Sequence, residues 1–358
     1  MNKSKQDKIA GNKYNFSGKN VYIGLDVHKK SYQLTACCEG MIIKRCRIPA
    51  SPESLVKFIR EKFVGAKIFS AYEAGFCGFH LHRYLVKSGI DNIVVNPASI
   101  EVRARDRVKT DKRDASKIAV QLEAGRLKCV NIPSIQQESR REISRLRETL
   151  ARKKREVGCQ ISSLIDRHQE LGWEKHSRIS RKFIDDLLTL HLPDEIKCVV
   201  KTFANLWISL SDQIKKVEEK LKEQAKEDAF QHEIIQSTPG IGLLGARIIA
   251  NEIGDMSQFT NVKNLYSFTG LTPSEHSSGN TKRQGHITRQ GRSILRKILV
   301  QSSWVAIRCD ENLRLKYESI ARRSSAKKAI VAIARILIGK IRACLLAKEK
   351  YLVMKPAI

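Results

Sequence analysis

Two aspartates three residues apart, Asp111 and Asp114, stand in RVKTDKRDASKIA (107–119), a stretch otherwise rich in lysine and arginine. On a helix that spacing puts both carboxylates on one face. Two further acids have a similar character. Asp26 lies in YIGLDVH, where Ile23 and Leu25 alternate with Tyr22, Gly24 and the acid, and Glu73 lies in FSAYEAG, near the end of another strand-like run. If a sheet carries Asp26 and Glu73 under that helix, four carboxylates converge, and like charges at short range repel and raise one another's pKa. Divalent metal relieves this repulsion. Mg2+ prefers carboxylate oxygen, with Mn2+ as the alternative, and two ions about 3.5–4 Å apart clamp the attacking and leaving oxygens of a phosphodiester displacement. The competing reading pairs each acid with a nearby cation, as Asp114 with Arg113 or Lys117.

Arg103, Arg105, Arg107, Lys109, Lys112 and Arg113 surround the aspartate pair. They could hold the phosphates that flank a reacting one, or form a solvated helix face. A second stretch, SEHSSGNTKRQGHITRQGR, sets Ser274, Ser277 and Ser278 beside glycines, with Lys282, Arg283, Arg289 and Arg292 around them. A serine hydroxyl is a weak nucleophile unless activated, and a phosphodiester is a reluctant electrophile unless its oxygens are neutralised. This loop supplies cations but no base except His276 or His286, so composition alone favours a phosphate-binding loop. TPGIGLLGARII carries Gly240 and Gly242 at a turn between two helices. That pattern fits a helix-hairpin-helix module whose backbone N–H groups bind phosphate, and equally a tight helix corner.

The whole chain sets the context for these groups. Its 358 residues hold 66 Lys and Arg against 37 Asp and Glu, a formal net charge of +29, which favours a polyanionic partner such as nucleic acid. A ribosomal or membrane-surface protein would share this balance. A hydrophobic share of 42% requires folded cores rather than a basic disordered tail. Nine cysteines without a CxxC indicate neither a zinc ribbon nor a disulfide framework. No apolar run reaches membrane-spanning length and no signal-peptide core follows the polar N-terminus, so a soluble cytoplasmic protein is expected.

Short β-rich runs in NVYIGLDVHKKSYQLTACCEGMIIKRCRIP predict two or three strands. SPESLVKFIREKF predicts a helix capped by Ser51 or Ser54. A strand in AKIFSAYEAG, a helix in FHLHRYLVKSG and a strand in IDNIVVNPA complete an α/β domain with a mixed or parallel sheet. From Pro133 to His232 long charged helical stretches follow. Apolar residues at Ile143, Leu146, Leu150, Val157, Ile161 and Leu164 predict an antiparallel helical hairpin or coiled-coil arm. The remainder reads as helical around one Gly/Ser/Thr-rich loop, ending in a basic amphipathic tail. The organisation expected is a basic tail (1–20), a catalytic domain (21–132), a helical coiled-coil region (133–232) and a C-terminal domain (233–358).

GLDVHKK, YEAG, VNPASIEVRARDRVKTDKRDASKIA, PGIGLLGA and GLTPSEHSSG, in that order from about residue 20 to about residue 310, together resemble the DEDD transposases of bacterial insertion sequences. That family includes pilin-gene invertases and bridge-RNA-guided recombinases. The resemblance implies a RuvC-like, RNase H-type N-terminal domain whose metal-binding tetrad is Asp26, Glu73, Asp111 and Asp114. It also implies a mainly helical C-terminal domain with a serine directly before a glycine, here Ser278 with Ser277 as its near rival, which becomes joined to DNA. A composite site assembled from two subunits, a dimeric or tetrameric assembly, two Mg2+ ions, and a structured bridge RNA that selects the DNA partners are further implications. A Holliday-junction resolvase or other metal-dependent nuclease, and a non-catalytic nucleic-acid-binding protein, are the alternatives.

Overall fold

Strict alternation in NVYIGLDV makes β1 (Asn20–Val27) a two-faced strand whose Val21, Ile23 and Leu25 are completely buried. In the computed structural model, which describes residues 15–101, 111–169, 179–275 and 284–354, β1 is the middle strand of a five-stranded sheet. The others are β2 (Ser31–Cys38), β3 (Met41–Pro49), β4 (Lys67–Glu73) and β5 (Asp91–Val95), in the spatial order β3-β2-β1-β4-β5. The β1–β2 and β2–β3 pairs are antiparallel and the β1–β4 and β4–β5 pairs parallel, so the sheet is mixed. This arrangement is consistent with an RNase H-like domain.

Helices cover both faces of the sheet. Val21, Ile23 and Leu25 share a core with Leu55, Val56 and Ile59 of α1 (Pro52–Lys62) and with Leu81 and Leu85 of α2 (His80–Lys87). Ser51 caps α1 by accepting from the Ser54 amide, and Pro52 occupies a first-turn position that needs no N–H donor. On the opposite face lies α3 (Asp111–Glu123), whose Ile118 packs with Ala71 and Val95.

Gly24 is what lets α3 lie so close. A Cβ there would stand 2.2 Å from the Ala115 carbonyl oxygen and 2.4 Å from the Ala119 amide nitrogen, both backbone atoms that cannot rotate away. Gly24→Ala is therefore expected to lower stability by about 2–3 kcal/mol, as overpacked cores do, measured as a shift in denaturant midpoint at unchanged slope.

The chain divides into two compact units, Met1–Ile132 and Pro133–Ile358. In the second, α4 (Ile135–Arg167) and α6 (Asp194–Glu227) pack against each other. Arg140 bonds Asp228, Arg147 bonds Glu218 and the Lys154 ammonium covers the Trp207 ring, so the pair runs antiparallel. With α5 (Arg181–Thr189) it encloses Val157, Ile161, Leu164, Phe183, Ile184 and Trp207. Leu146, expected in the apolar seam, is 44% exposed, because α4 at that level makes polar contacts through Arg147 to Glu218 and Glu148 to Lys297.

Further helices complete this unit: α7 (Ala229–Gln236), α8 (Leu243–Ile253), α9 (Val262–Thr269), α10 (Ser293–Cys309), α11 (Glu311–Arg323) and α12 (Ala326–Ala347). The basic C-terminal stretch is amphipathic as expected, and the apolar stripe of α12 enters two cores through Ala334, Ile338 and Ile341 and through Ile333 and Leu337. Buried polar side chains tie α8 to the antiparallel pair. Arg247 bonds Asn251, Asp228 and the Gln224 carbonyl, while Asn251 bonds Ser144 and Gln224. Arg247, Asn251, Ser144 and Gln224 are almost wholly buried and Asp228 is partly exposed, so the network compensates for lost hydration only because its members are satisfied together. No helix among the described residues is long and apolar enough to cross a membrane.

Candidate metal centre

All four sequence-predicted acids belong to elements that meet directly, β1, β4 and α3. Asp26 ends the α3-facing side of β1, and Asp111 and Asp114 occupy the first turn of α3. The first turn of a helix favours negative charge, since its amide groups have no partners within the helix. Glu73 ends β4. Leu25 pairs with Tyr72, so Asp26 and Glu73 are the next residues on two adjacent parallel strands, and both lie on the face that Gly24 and Ala71 present to α3.

His28 enters the same site. Its Nε2 stands 3.1 Å from Asp26 Oδ2 and 3.2 Å from Asp111 Oδ2. Nε2 thus lies between the two carboxylates, hydrogen-bonded to Asp26 and close to Asp111. One ligand atom from each of Asp26, His28 and Asp111 lies within 4.8 Å of the others. The sequence reading missed His28. The signal available was its place two residues beyond Asp26, where strand alternation returns to the same face.

Asp114 illustrates the competing reading of the acids. Lys117 Nζ lies 3.5 Å from its Oδ1, one helical turn on, and both side chains are about one-fifth exposed. The acids nonetheless act on one another. Burial raises the Asp26 carboxyl above the ordinary aspartate range; His28 opposes the shift, and the charges of Asp111 and Asp114 add to it. This donor set, carboxylate oxygens beside one imidazole nitrogen with more negative charge than the half-buried Asp26 tolerates, fits a divalent cation.

The raised Asp26 value makes the metal-free fold pH-sensitive. A carboxyl whose folded pKa exceeds its unfolded value contributes its full stability below the unfolded pKa and loses it as pH rises through the folded one. Asp26→Asn is therefore expected to raise the thermal midpoint of metal-free protein at neutral pH. The gain should vanish below about pH 3.9, where aspartate is protonated in both states.

Other predicted residues are distributed more widely. Lys112 and Arg113 are exposed on the first turn of α3, whereas Arg103, Arg105, Arg107 and Lys109 lie outside the described residues. Gly240, at φ +79°, packs against α10, where a Cβ would sit 2.6 Å from the Ser302 carbonyl oxygen; Gly242 opens α8 with no atom of the described residues within 4 Å of its would-be Cβ. The corner explanation therefore accounts for Gly240 and leaves Gly242 open.

Ser277, Ser278, His276, Lys282 and Arg283 fall outside the described residues. The flanks of that stretch form a short hairpin, β6 (Pro273–Glu275) and β7 (Gln284–Ile287), where a loop was expected. Ser274 is used structurally, its hydroxyl donating to the His286 carbonyl at 3.0 Å. At the hairpin base Gly291 packs so tightly that a Cβ would meet the Phe268 carbonyl oxygen at 2.1 Å, and Arg296 donates to the Thr269 and Gly291 carbonyls. Arg289 is exposed with φ +56°, and Arg292 reaches the buried Glu252 at 3.5 Å.

Two family models match the chain. One, described as a transposase of the DEDD IS110 type, matches residues 23–169, and one described as the transposase IS116/IS110/IS902 family matches residues 232–318. The chain is 26% identical over 348 residues to the transposase for insertion sequence element IS1111A of Coxiella burnetii, an alignment covering 92% of this chain and 90% of the relative. It is also 26% identical over 310 residues to a putative transposase, y4qE, of Sinorhizobium fredii, covering 83% and 74% of the two chains. The transposase for insertion sequence element IS1533 of Leptospira borgpetersenii is 26% identical over 261 residues, with 70% and 74% covered.

Proposed function

The chain belongs to the DEDD transposase family of insertion sequences, and from that premise we propose that it cuts and rejoins DNA with a divalent-metal site at Asp26, Glu73, Asp111 and Asp114 and a nucleophilic serine at Ser278. The observation that carries the reading is the convergence of Asp26 and Asp111 on His28 at the end of the central strand.

The acids and His28 would hold Mg2+ or Mn2+, two ions in the family pattern; the metal supplies Lewis acidity to the phosphate oxygens and charge neutralisation. The protein supplies the rest. α3 and β1 hold the carboxylates at fixed separation, because Gly24 locks the helix onto the strand. Lys117 stays beside Asp114 and restrains its carboxylate. The cations of the preceding segment, with Lys112 and Arg113, neutralise the phosphates flanking the reacting one.

Ser278 Oγ forms a bond to phosphorus as the bond from phosphorus to the departing sugar oxygen breaks. The serine proton passes by way of a basic group to the departing sugar oxygen, and the released sugar hydroxyl later attacks the serine–phosphate link of another strand, its proton returning to the restored serine. Strand energy is thus conserved through the covalent link without an external energy source. Lys282, Arg283, Arg289 and Arg292, and the open amide end of α8 at Gly242, are the proposed phosphate contacts of the second unit. A structured bridge RNA and a dimeric or tetrameric assembly rest on the family resemblance alone.

The test uses the full chain, Mg2+ and labelled DNA carrying the element ends. Rejoined product together with a detergent-resistant protein–DNA adduct is expected, and EDTA should abolish both. Nicked DNA with no adduct would favour the metal-and-water nuclease, and DNA binding with no strand cleavage would favour a binding protein.

A further inference from the structure

The transverse row of the sheet that passes through Asp26 ends on an arginine. Asp26 pairs with Gln33 and Gln33 with Arg47; one row back, Gly24 pairs with Thr35 and Thr35 with Arg45. Register partners project from the same side of a sheet, so Arg45 and Arg47 lie on the face that carries the acids and α3. Cys46 and Ile48, the intervening residues, pack into the core on the other face, which fixes the alternation.

Both arginines are exposed, and each is held by a neutral hydroxyl. Arg47 Nε donates to Ser31 Oγ at 2.7 Å, and Arg45 Nε to Ser116 Oγ at 3.4 Å. Ser116 belongs to α3, five residues beyond Asp111. Among the described residues no ion pair joins either arginine to a carboxylate, in contrast to Arg140, Arg145 and Arg147 of α4. A guanidinium anchored through one donor, with its charge unneutralised and its remaining donors free to turn to a ligand, suits a phosphate oxygen pair.

We propose that Arg45 and Arg47 form a phosphate clamp on edge strand β3 for the DNA strand whose reacting phosphate lies at the acids. The proposal rests on the strand-transfer reading above. Two strand spacings separate β3 from β1, about 10 Å. At about 3.4 Å of rise per nucleotide, the clamped phosphate lies within about three nucleotides of the reacting one. Because β3 is an edge strand, no neighbouring strand among the described residues obstructs the approach. Charged residues on edges also discourage strand-on-strand association, but Lys44 on the opposite face of β3 would serve that role equally and takes no part in the clamp.

The experiment is DNA binding by the full chain, followed by fluorescence anisotropy across a KCl series with Mg2+ present. The double variant Arg45→Ala/Arg47→Ala should reduce the slope of log affinity against log salt by about two, one per lost phosphate contact, at an unchanged thermal midpoint. Arg45→Lys/Arg47→Lys should recover most of the slope, and Lys44→Ala should keep the wild-type value. A wild-type slope in the double alanine variant overturns the clamp while leaving strand transfer intact. An equal loss with Lys44→Ala, or a loss seen with RNA and not with DNA, also overturns it. Failure of the wild-type chain to bind DNA would instead overturn the reading on which the clamp rests.

Discussion

Asp111→Asn is expected to lower strand transfer about a thousandfold while leaving DNA affinity equal to or slightly above wild type. A metal-binding carboxylate is worth several kcal/mol of transition-state charge stabilisation, and each 1.36 kcal/mol is a factor of ten in rate. The amide keeps the shape of the side chain beside His28 Nε2, so the loss isolates charge from geometry. Asp111 is the first residue of α3 and mostly exposed, so the variant should fold, at a cost within about 1 kcal/mol from the lost helix-terminus interaction. Removing one negative charge from a chain of net charge +29 works in favour of polyanion binding. Single-turnover strand transfer, with anisotropy on the same DNA, measures both quantities. A variant transferring strands at the wild-type rate would show that Asp111 holds no catalytic ion.

Ser278→Ala is expected to abolish the covalent protein–DNA adduct and rejoined product altogether, because no second group in the mechanism replaces the lost oxygen. Mg2+-dependent thermal stabilisation should persist, since the acids are untouched. Ser277→Ala is the matched comparison: one position away, it should retain the adduct. Denaturing gel electrophoresis with end-labelled DNA reads both variants. A persistent adduct in Ser278→Ala that disappears in Ser277→Ala would move the nucleophile by one residue. Persistence in both would remove serine chemistry from the mechanism.

These two expectations differ in what supports them. The place of Asp111 is built by the fold, whereas Ser278 lies outside the described residues and rests on the family resemblance and its Ser-Gly motif. In the flanking hairpin the Ser274 hydroxyl is already committed to the His286 carbonyl.

The local chemistry of the N-terminal unit was legible in the sequence because it depends on short-range period. Alternation in YIGLDVH separates the buried Ile23 and Leu25 from Asp26, and the i, i+3 spacing puts Asp111 and Asp114 in one helical turn. Strand and helix order likewise follow from runs of five to thirteen residues bounded by turns and caps. What the sequence could not state is register, because pairing between strands is a long-range choice and a slip of one residue exchanges the two faces. Only the tertiary structure puts His28 between Asp26 and Asp111, sets Glu73 beside Asp26, lines Arg47 up with the same row, and opens Leu146 to solvent where polar contacts interrupt the helical seam. The sequence by itself supplied the candidate acids and cations, though not His28. The packing of α3 onto Gly24 decided which of them meet, since close approach of two backbones requires the absence of a Cβ at that one position.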